Sequence, residues 1–176
     1  TEAPALTTLD CDNTQLTSID VSNNTLLTSL LCGGNQLTDL DVSANSALTE
    51  LACANNLLTS LNLQNGANPL VQTMEATGNA NLFCIQVDEV SAVPAGWEKD
   101  ATANYSEDCD AIVYIPDVAF KSYLVGNTSV NRNGDAEIQV IEATLFTGEI
   151  AAVTMGISEL TGIEAFVNIT ALDCRD

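Results

Sequence analysis

The sequence predicts a mainly β solenoid, in which repeats of 21–23 residues stack short strands into a parallel sheet, together with a small helix-loop-helix capping segment. Three observations predict it. Cys11, Cys32 and Cys53 are spaced 21 residues apart inside self-similar sequence. The residues around them alternate between apolar and polar, as in a strand with one buried face. A helix-like stretch, "IPDVAFKSYLVGN", then interrupts the pattern before it returns at Cys174.

Composition narrows the function classes. A chain of 176 residues that is 46% hydrophobic can bury a real core. With 24 acidic and 4 basic residues its formal charge is −20, which excludes nucleic acid as a partner because phosphate binding needs a basic footprint. No apolar run approaches the roughly 20 residues of a membrane span, so membrane insertion is not expected. The opening "TEAPALTTLD" lacks the basic and apolar regions of a signal peptide, which for an exported protein implies the mature form or an internal piece. Histidine is absent, which removes His-based triads, the usual base near neutral pH and the commonest zinc ligand. Scattered Ser, Asp and Glu with neither a Gly-rich loop nor a nucleophile elbow point away from an enzyme.

Aligned on the cysteines, the first three units read "LTTLDCDNTQLTSIDVSNNTL", "LTSLLCGGNQLTDLDVSANSA" and "LTELACANNLLTSLNLQNGAN". Apolar residues recur at positions 1, 4, 6, 11, 14 and 16 of each unit, and position 9 carries Asn35 and Asn56. The form L-x-x-L-x-L-x-x-N-x-L is the leucine-rich repeat signature, with cysteine here at the second inward site of the strand. A degenerate fourth unit, "VQTMEATGN", puts Met74 and Ala76 at those inward sites; in the first, Thr14 replaces the asparagine. Each unit supplies one strand, and its second half returns along the opposite side, too short and too β-like for a full helix. The position-9 asparagines are expected to satisfy the backbone of the following turn as a stacked ladder. Outward strand positions should line a concave face: Thr8, Asp10, Asp12; Ser29, Leu31, Gly33; Glu50, Ala52, Ala54; Thr73, Glu75, Thr77. They are small and acidic, without the aromatic anchors of a tight protein-binding surface.

Over residues 1–81 the motif "LxxLxCxxNxLTxLDVSxN" resembles the cysteine-ladder leucine-rich repeats of bacterial surface proteins, namely certain internalins and many secreted proteins of the Bacteroidetes group. The resemblance implies a secreted or surface-attached module for adhesion or binding. Stacked strands hold equivalent Cβ atoms about 4.8 Å apart and parallel, whereas a disulfide wants them near 3.8 Å and converging. Cys11, Cys32 and Cys53 are therefore expected as buried thiols acting as small hydrophobes.

Residues 82–110 should close the exposed end of this array, with Leu82, Phe83, Ile85, Val87, Val90, Val93 and Trp97 covering the last coil. Cys84 and Cys109 lie outside the ladder phase and bracket this segment; they are expected to form a disulfide. It would close a loop of about 25 residues and stabilise by roughly 3 kcal/mol. The pattern "LFCIQVD…W…KD…YSEDC" also resembles the C-terminal caps of those secreted proteins.

Residues 111–148 read as a helical, EF-hand-like cap of a second array. Asp117 starts a helix, Phe120 and Leu124 share one face of it, and Gly126 stops it. In "NRNGDAEIQVIE" a calcium loop would take Asn131, Asn133, Asp135, Glu137 through its carbonyl, and Glu142, with Ile138 at the apolar site. Ala136 stands where glycine makes the sharp turn, and Asn131 replaces the first aspartate. A weak Ca²⁺ site and a metal-free Asx turn both remain open. Residues 149–176 restore the repeat phase, with Ile169, Leu172 and Cys174 in L-x-x-L-x-C spacing.

The expected function is that of a non-enzymatic extracellular or cell-surface module for adhesion or binding, or a structural unit of a filament or longer repeat protein. The alternative is a specific receptor for a protein or glycan ligand on the concave face. Self-association by end-to-end stacking of solenoid edges, or continuation in a longer chain, is the expected partnership.

Overall fold

A computed structural model describes residues 5–175. The chain divides into two compact units, Thr1–Asp108 and Cys109–Asp176.

The first unit is the solenoid that the repeats predict. Its strands in chain order are β1 (Thr8–Asp10), β2 (Ser29–Leu31), β3 (Asp39–Asp41), β4 (Glu50–Ala52), β5 (Ser60–Asn62), β6 (Thr73–Ala76), β7 (Cys84–Gln86), β8 (Glu98–Lys99) and β9 (Asn104–Ser106). They form two parallel sheets, ordered β1-β2-β4-β6-β8 and β3-β5-β7-β9. From the second repeat onward the return half is thus itself a strand. "LDVS" and "LNLQ" carry the period-2 alternation that puts Leu40, Val42, Leu61 and Leu63 inside. Register is set by the repeat: Leu30 lies over Leu51, and Leu51 over Met74. Leu27, Leu30, Leu37, Leu48, Leu51, Leu58 and Leu61 are almost wholly excluded from water. Each contributes about 1.5–3 kcal/mol by burial, and truncating one to alanine would cost about 2–5 kcal/mol.

Two side-chain ladders run through the turns. Asn56 Nδ2 donates to the carbonyls of Cys32 (3.0 Å) and Cys53 (3.1 Å), while its Oδ1 accepts from Leu37 N at 3.0 Å. Asn35 and Asn79 repeat this one coil earlier and one coil later. On the other side, Asn45 Nδ2 donates to the carbonyls of Val21 and Asn24. Just before each position-9 residue the backbone is left-handed, at Asn13 (φ 55°), Gly34 (64°), Asn55 (56°) and Gly78 (74°). Asparagine and glycine are the residues that tolerate this conformation. They alternate because a Cβ on Gly34 would stand 2.3 Å from Asn13 Oδ1, and one on Gly78 2.5 Å from Asn55 Oδ1.

Residues 82–110 do more than cover the last coil. β7, β8 and β9 extend both sheets by strand pairing, and β7 keeps the apolar spacing in Leu82, Ile85 and Val87. Leu82, Ile85, Val87 and Trp97 close the core, whereas Val90 is 44% exposed and takes no part. Carboxylates stand where a further coil's acceptors would be. The N–H groups of Asn13, Gly34 and Asn55 donate to carbonyls of the following coil, but that of Gly78 donates to Asp100 Oδ1 at 3.1 Å. Asp100 Oδ2 also accepts from Asn79 N at 2.7 Å. On the second sheet's side Asp88 accepts from the N–H groups of Gly66 and Asn68.

In the second unit, α1 (Val118–Gly126) and α2 (Val140–Leu145) precede the parallel pair β10 (Glu149–Ala151) and β11 (Ala171–Asp173). Asp117 caps α1: Oδ1 accepts from Phe120 N at 2.8 Å, while Oδ2 takes Ser158 N (2.9 Å) and Ser158 Oγ (2.7 Å). Those bonds to its charged form hold the Asp117 carboxyl well below the usual range. Gly126 is the last residue of α1, and Asn127 follows as its cap. Phe120, Leu124, Val130, Ile138, Ala143, Ile150 and Phe166 form the core. The parallel pair sets Ile150 over Leu172.

Candidate functional site

The face of the five-stranded sheet is the candidate contact surface. Thr8, Asp10, Asp12, Glu50, Thr73 and Glu75 are exposed on it, and Ser29, Leu31, Gly33, Ala52 and Thr77 are half-buried. Ala54, in the same series, is only 7% exposed, and its carbonyl accepts from Gly34 N. The acidic groups tie themselves into the scaffold. Glu50 accepts from Ser29 Oγ at 2.7 Å, and Asp12 accepts from Gly33 N at 2.6 Å. Glu75 and Glu98 are register partners on neighbouring strands, so two like charges meet at the far end of the stripe.

There the face runs into a groove of about 630 Å³ lined by Thr77, Val93, Pro94, Ala95, Trp97, Glu98, Lys99 and Tyr105. Trp97 meets Tyr105 edge to face with centroids 6.0 Å apart, and Lys99 Nζ lies 5.4 Å from the Tyr105 ring centroid. Trp97 is fixed by its Nε1–H, which donates to the Val71 carbonyl at 2.9 Å. The repeat pattern gave no sign of this groove. Its only signal was two aromatic residues inside a stretch otherwise small and polar.

Behind the face stand the thiols. Cys32 and Cys53 are fully buried, Cys11 is half-buried, and all three are free. Burial pushes the Cys32 thiol up to about 12, with the neighbouring Cys11 and Asp12 adding to it. Burial likewise raises Cys53 well above the ordinary value, and Cys11 in the same direction. They are neutral thiols filling space, without the thiolate that a nucleophile or metal ligand needs. Cys84 and Cys109 are disulfide-bonded, and Cys174 is an exposed thiol.

The loop 131–142 is closed by hydrogen bonds. Glu142 is 1% exposed; its Oε1 accepts from the N–H groups of Arg132 (2.7 Å) and Asn133 (3.1 Å), and its Oε2 from that of Gln139 (3.1 Å). Asp135 Oδ1 accepts from Glu137 N, and its Oδ2 from the side-chain amides of Asn133 and Gln139. Asn131 Oδ1 accepts from Gly134 N, while Glu137 pairs with Lys121 at 2.6 Å. The left-handed residue is Gly134, at the fourth position of the expected calcium loop, and Ala136 is spared it. The oxygens named for a calcium shell each take part in the loop's own hydrogen bonds or, at Glu137, in an ion pair. Among the described residues no group of three or more His, Cys, Asp or Glu is arranged to hold a metal. No described helix is long and apolar enough to cross a membrane.

No family model and no curated protein matches the chain. Among solved structures, the functional domain of InlJ from Listeria monocytogenes, described as including a cysteine ladder, is similar at 24% identity with a TM-score of 0.39. The match covers 97% of this chain and 40% of that one, so this chain spans well under half of its structural neighbour's length.

Proposed function

We propose that the chain is a non-enzymatic leucine-rich repeat module that works by surface contact outside the cell, in adhesion or binding or as a structural part of a longer assembly. The observation that carries this reading is the open, rigid face of the five-stranded parallel sheet. Its side chains are small or acidic and are held by the coil beneath, which suits many weak contacts better than one deep hot spot. The disulfide-bonded Cys84 and Cys109 support an oxidising compartment.

Beads coated with the chain, presented to epithelial monolayers under flow, test the reading. Asp10→Lys, Glu50→Lys and Glu75→Lys together should cut retention at least several-fold, whereas three lysines at Asp20, Asp39 and Asp41 should leave it near the wild-type level. Equal loss from both sets, or none from the face set, would show that the face is not the contact surface. Antibody labelling of intact producing cells checks location; signal only after lysis would refute an extracellular site.

A further inference from the structure

The groove beyond the sheet face carries polar groups that the fold leaves unused. Val93, Pro94 and Ala95 form an apolar wall, and Trp97, only 7% exposed and bonded to the Val71 carbonyl, is a fixed floor. Glu98 is exposed and Tyr105 half-buried; among the described residues neither the Glu98 carboxylate nor the Tyr105 hydroxyl has a hydrogen-bond partner. Burial of Tyr105 raises the pKa of its hydroxyl, which therefore stays a neutral donor. Lys99 Nζ gives one hydrogen to the Ala103 carbonyl and keeps two to donate elsewhere. Acceptor, hydroxyl and ammonium thus stand together beside one apolar wall. The groove's volume of about 630 Å³ falls within the roughly 300–1,000 Å³ of small-ligand sites.

Charge narrows the occupant. A cation meets Lys99 inside the groove, its Nζ already 5.4 Å from the Tyr105 ring centroid. An anion meets Glu98, its register partner Glu75 on the next strand, and a chain of net charge −20. A neutral ligand meets neither obstacle. Hydrogen bonding narrows the choice further. A proline-rich strand brings carbonyl acceptors and few donors, so it would cover the Glu98 carboxylate without pairing it. The Trp97 N–H that could serve such a strand is already given to Val71. Sugar hydroxyls both donate and accept, and the C–H face of a pyranose ring is apolar. We propose that the groove binds a neutral glycan. Its ring face packs on Val93 and Pro94, while its hydroxyls donate to Glu98 and accept from Lys99 and Tyr105. The proposal rests on the contact role outside the cell and names a ligand class for it, at residues other than the acidic stripe.

A printed array of neutral, sialylated and sulfated glycans, probed with the 176-residue chain, is the first test; binding should be confined to the neutral members. The best neutral oligosaccharide, and decaproline as the competing ligand, are then titrated while the emission of Trp97, the single tryptophan, is followed. Glu98→Gln and Tyr105→Phe should each weaken glycan binding about ten-fold. Asp39→Asn, on the second sheet, should leave it within about two-fold. Both groove substitutions nearly keep side-chain volume, and an unchanged urea midpoint in each variant shows that the fold is kept. Four results would overturn the proposal: no neutral glycan bound, a preference for sialylated or sulfated members, glycan affinity indifferent to both groove variants, or decaproline bound in place of glycan. None of them touches the bead assay on the acidic face, which holds or fails by itself.

Discussion

Replacing Asn56 with alanine isolates the value of one ladder rung. The substitution strips Leu37 N–H of its acceptor, in a site where Asn56 itself is 5% exposed and Leu37 fully buried. An orphaned buried donor costs about 1–3 kcal/mol. The carbonyls of Cys32 and Cys53 lose Nδ2–H bonds of 3.0 and 3.1 Å. At about 0.5–1.5 kcal/mol each, these bring the expected loss to about 3 kcal/mol. Trp97 is the single tryptophan and is packed in the first unit's core, so its fluorescence in urea reports that unit alone. With a slope near 1.5–2 kcal/mol/M, the midpoint should fall by about 1.5–2 M. Gln36→Ala, one residue beyond the equivalent asparagine and exposed, should shift it by less than about 0.3 M. A loss below about 1 kcal/mol for Asn56→Ala would mean that water or a rearranged turn satisfies Leu37, and the ladder would not be the element that holds the coils in phase.

The thiols make a second prediction. At pH 8 a maleimide should modify Cys174 within minutes and leave Cys32 and Cys53 untouched until the chain is unfolded; modification of all of them at similar rates in the native protein would refute the buried ladder. Folding keeps Cys32 protonated while the unfolded thiol ionises near its ordinary value. Stability should therefore be flat below about pH 8.5 and fall as pH rises toward 12, by up to about 1.4 kcal/mol per pH unit for this group; Cys32→Ala should flatten the slope. The Asp117 carboxyl is held low by its bonds to Phe120 and Ser158, so its contribution is present above about pH 4 and lost below. Asp117→Asn should make thermal unfolding of the second unit less sensitive to acid, and an unchanged acid limb would count against the cap. Reducing the disulfide, or replacing Cys84 and Cys109 with serine, should lower stability by about 3 kcal/mol, read from the same urea curve. Adding 5 mM calcium should leave the melting temperature of the native chain unchanged to within about 1 °C; a clear rise would show the loop 131–142 re-forming around the ion.

The first sheet was legible because its inward sites are apolar in every coil, from Leu30 and Cys32 to Met74 and Ala76. The residues opposite were equally patterned, yet "LDVS" reads as polar return chain until its pairing is known. β8 and β9 were hidden for another reason: Glu98–Lys99 and Asn104–Ser106 carry no apolar alternation, and backbone register with β6 and β7 is what makes them strands. At 131–142 the residue pattern leaves two readings open. Residue types at the right intervals suggested oxygen ligands, but side-chain amides and backbone N–H groups arrive at the same oxygens from Asn133, Gln139 and Arg132. Spacing fixes which residues can meet; it does not say whether a cation or a donor hydrogen meets them.

Each ladder asparagine donates to, and accepts from, the coil before it, so every coil is completed by its successor. Only the last rung is different, since Asp100 and Asp88 supply acceptors and ask for nothing beyond. This gives the array a direction and a terminator. A spare 21-residue unit could be spliced in anywhere upstream of Asn79 with its polar groups already provided for, and none could follow Asp100 without replacing it. The length of such a protein can then drift by whole coils over generations while its closing segment stays the same.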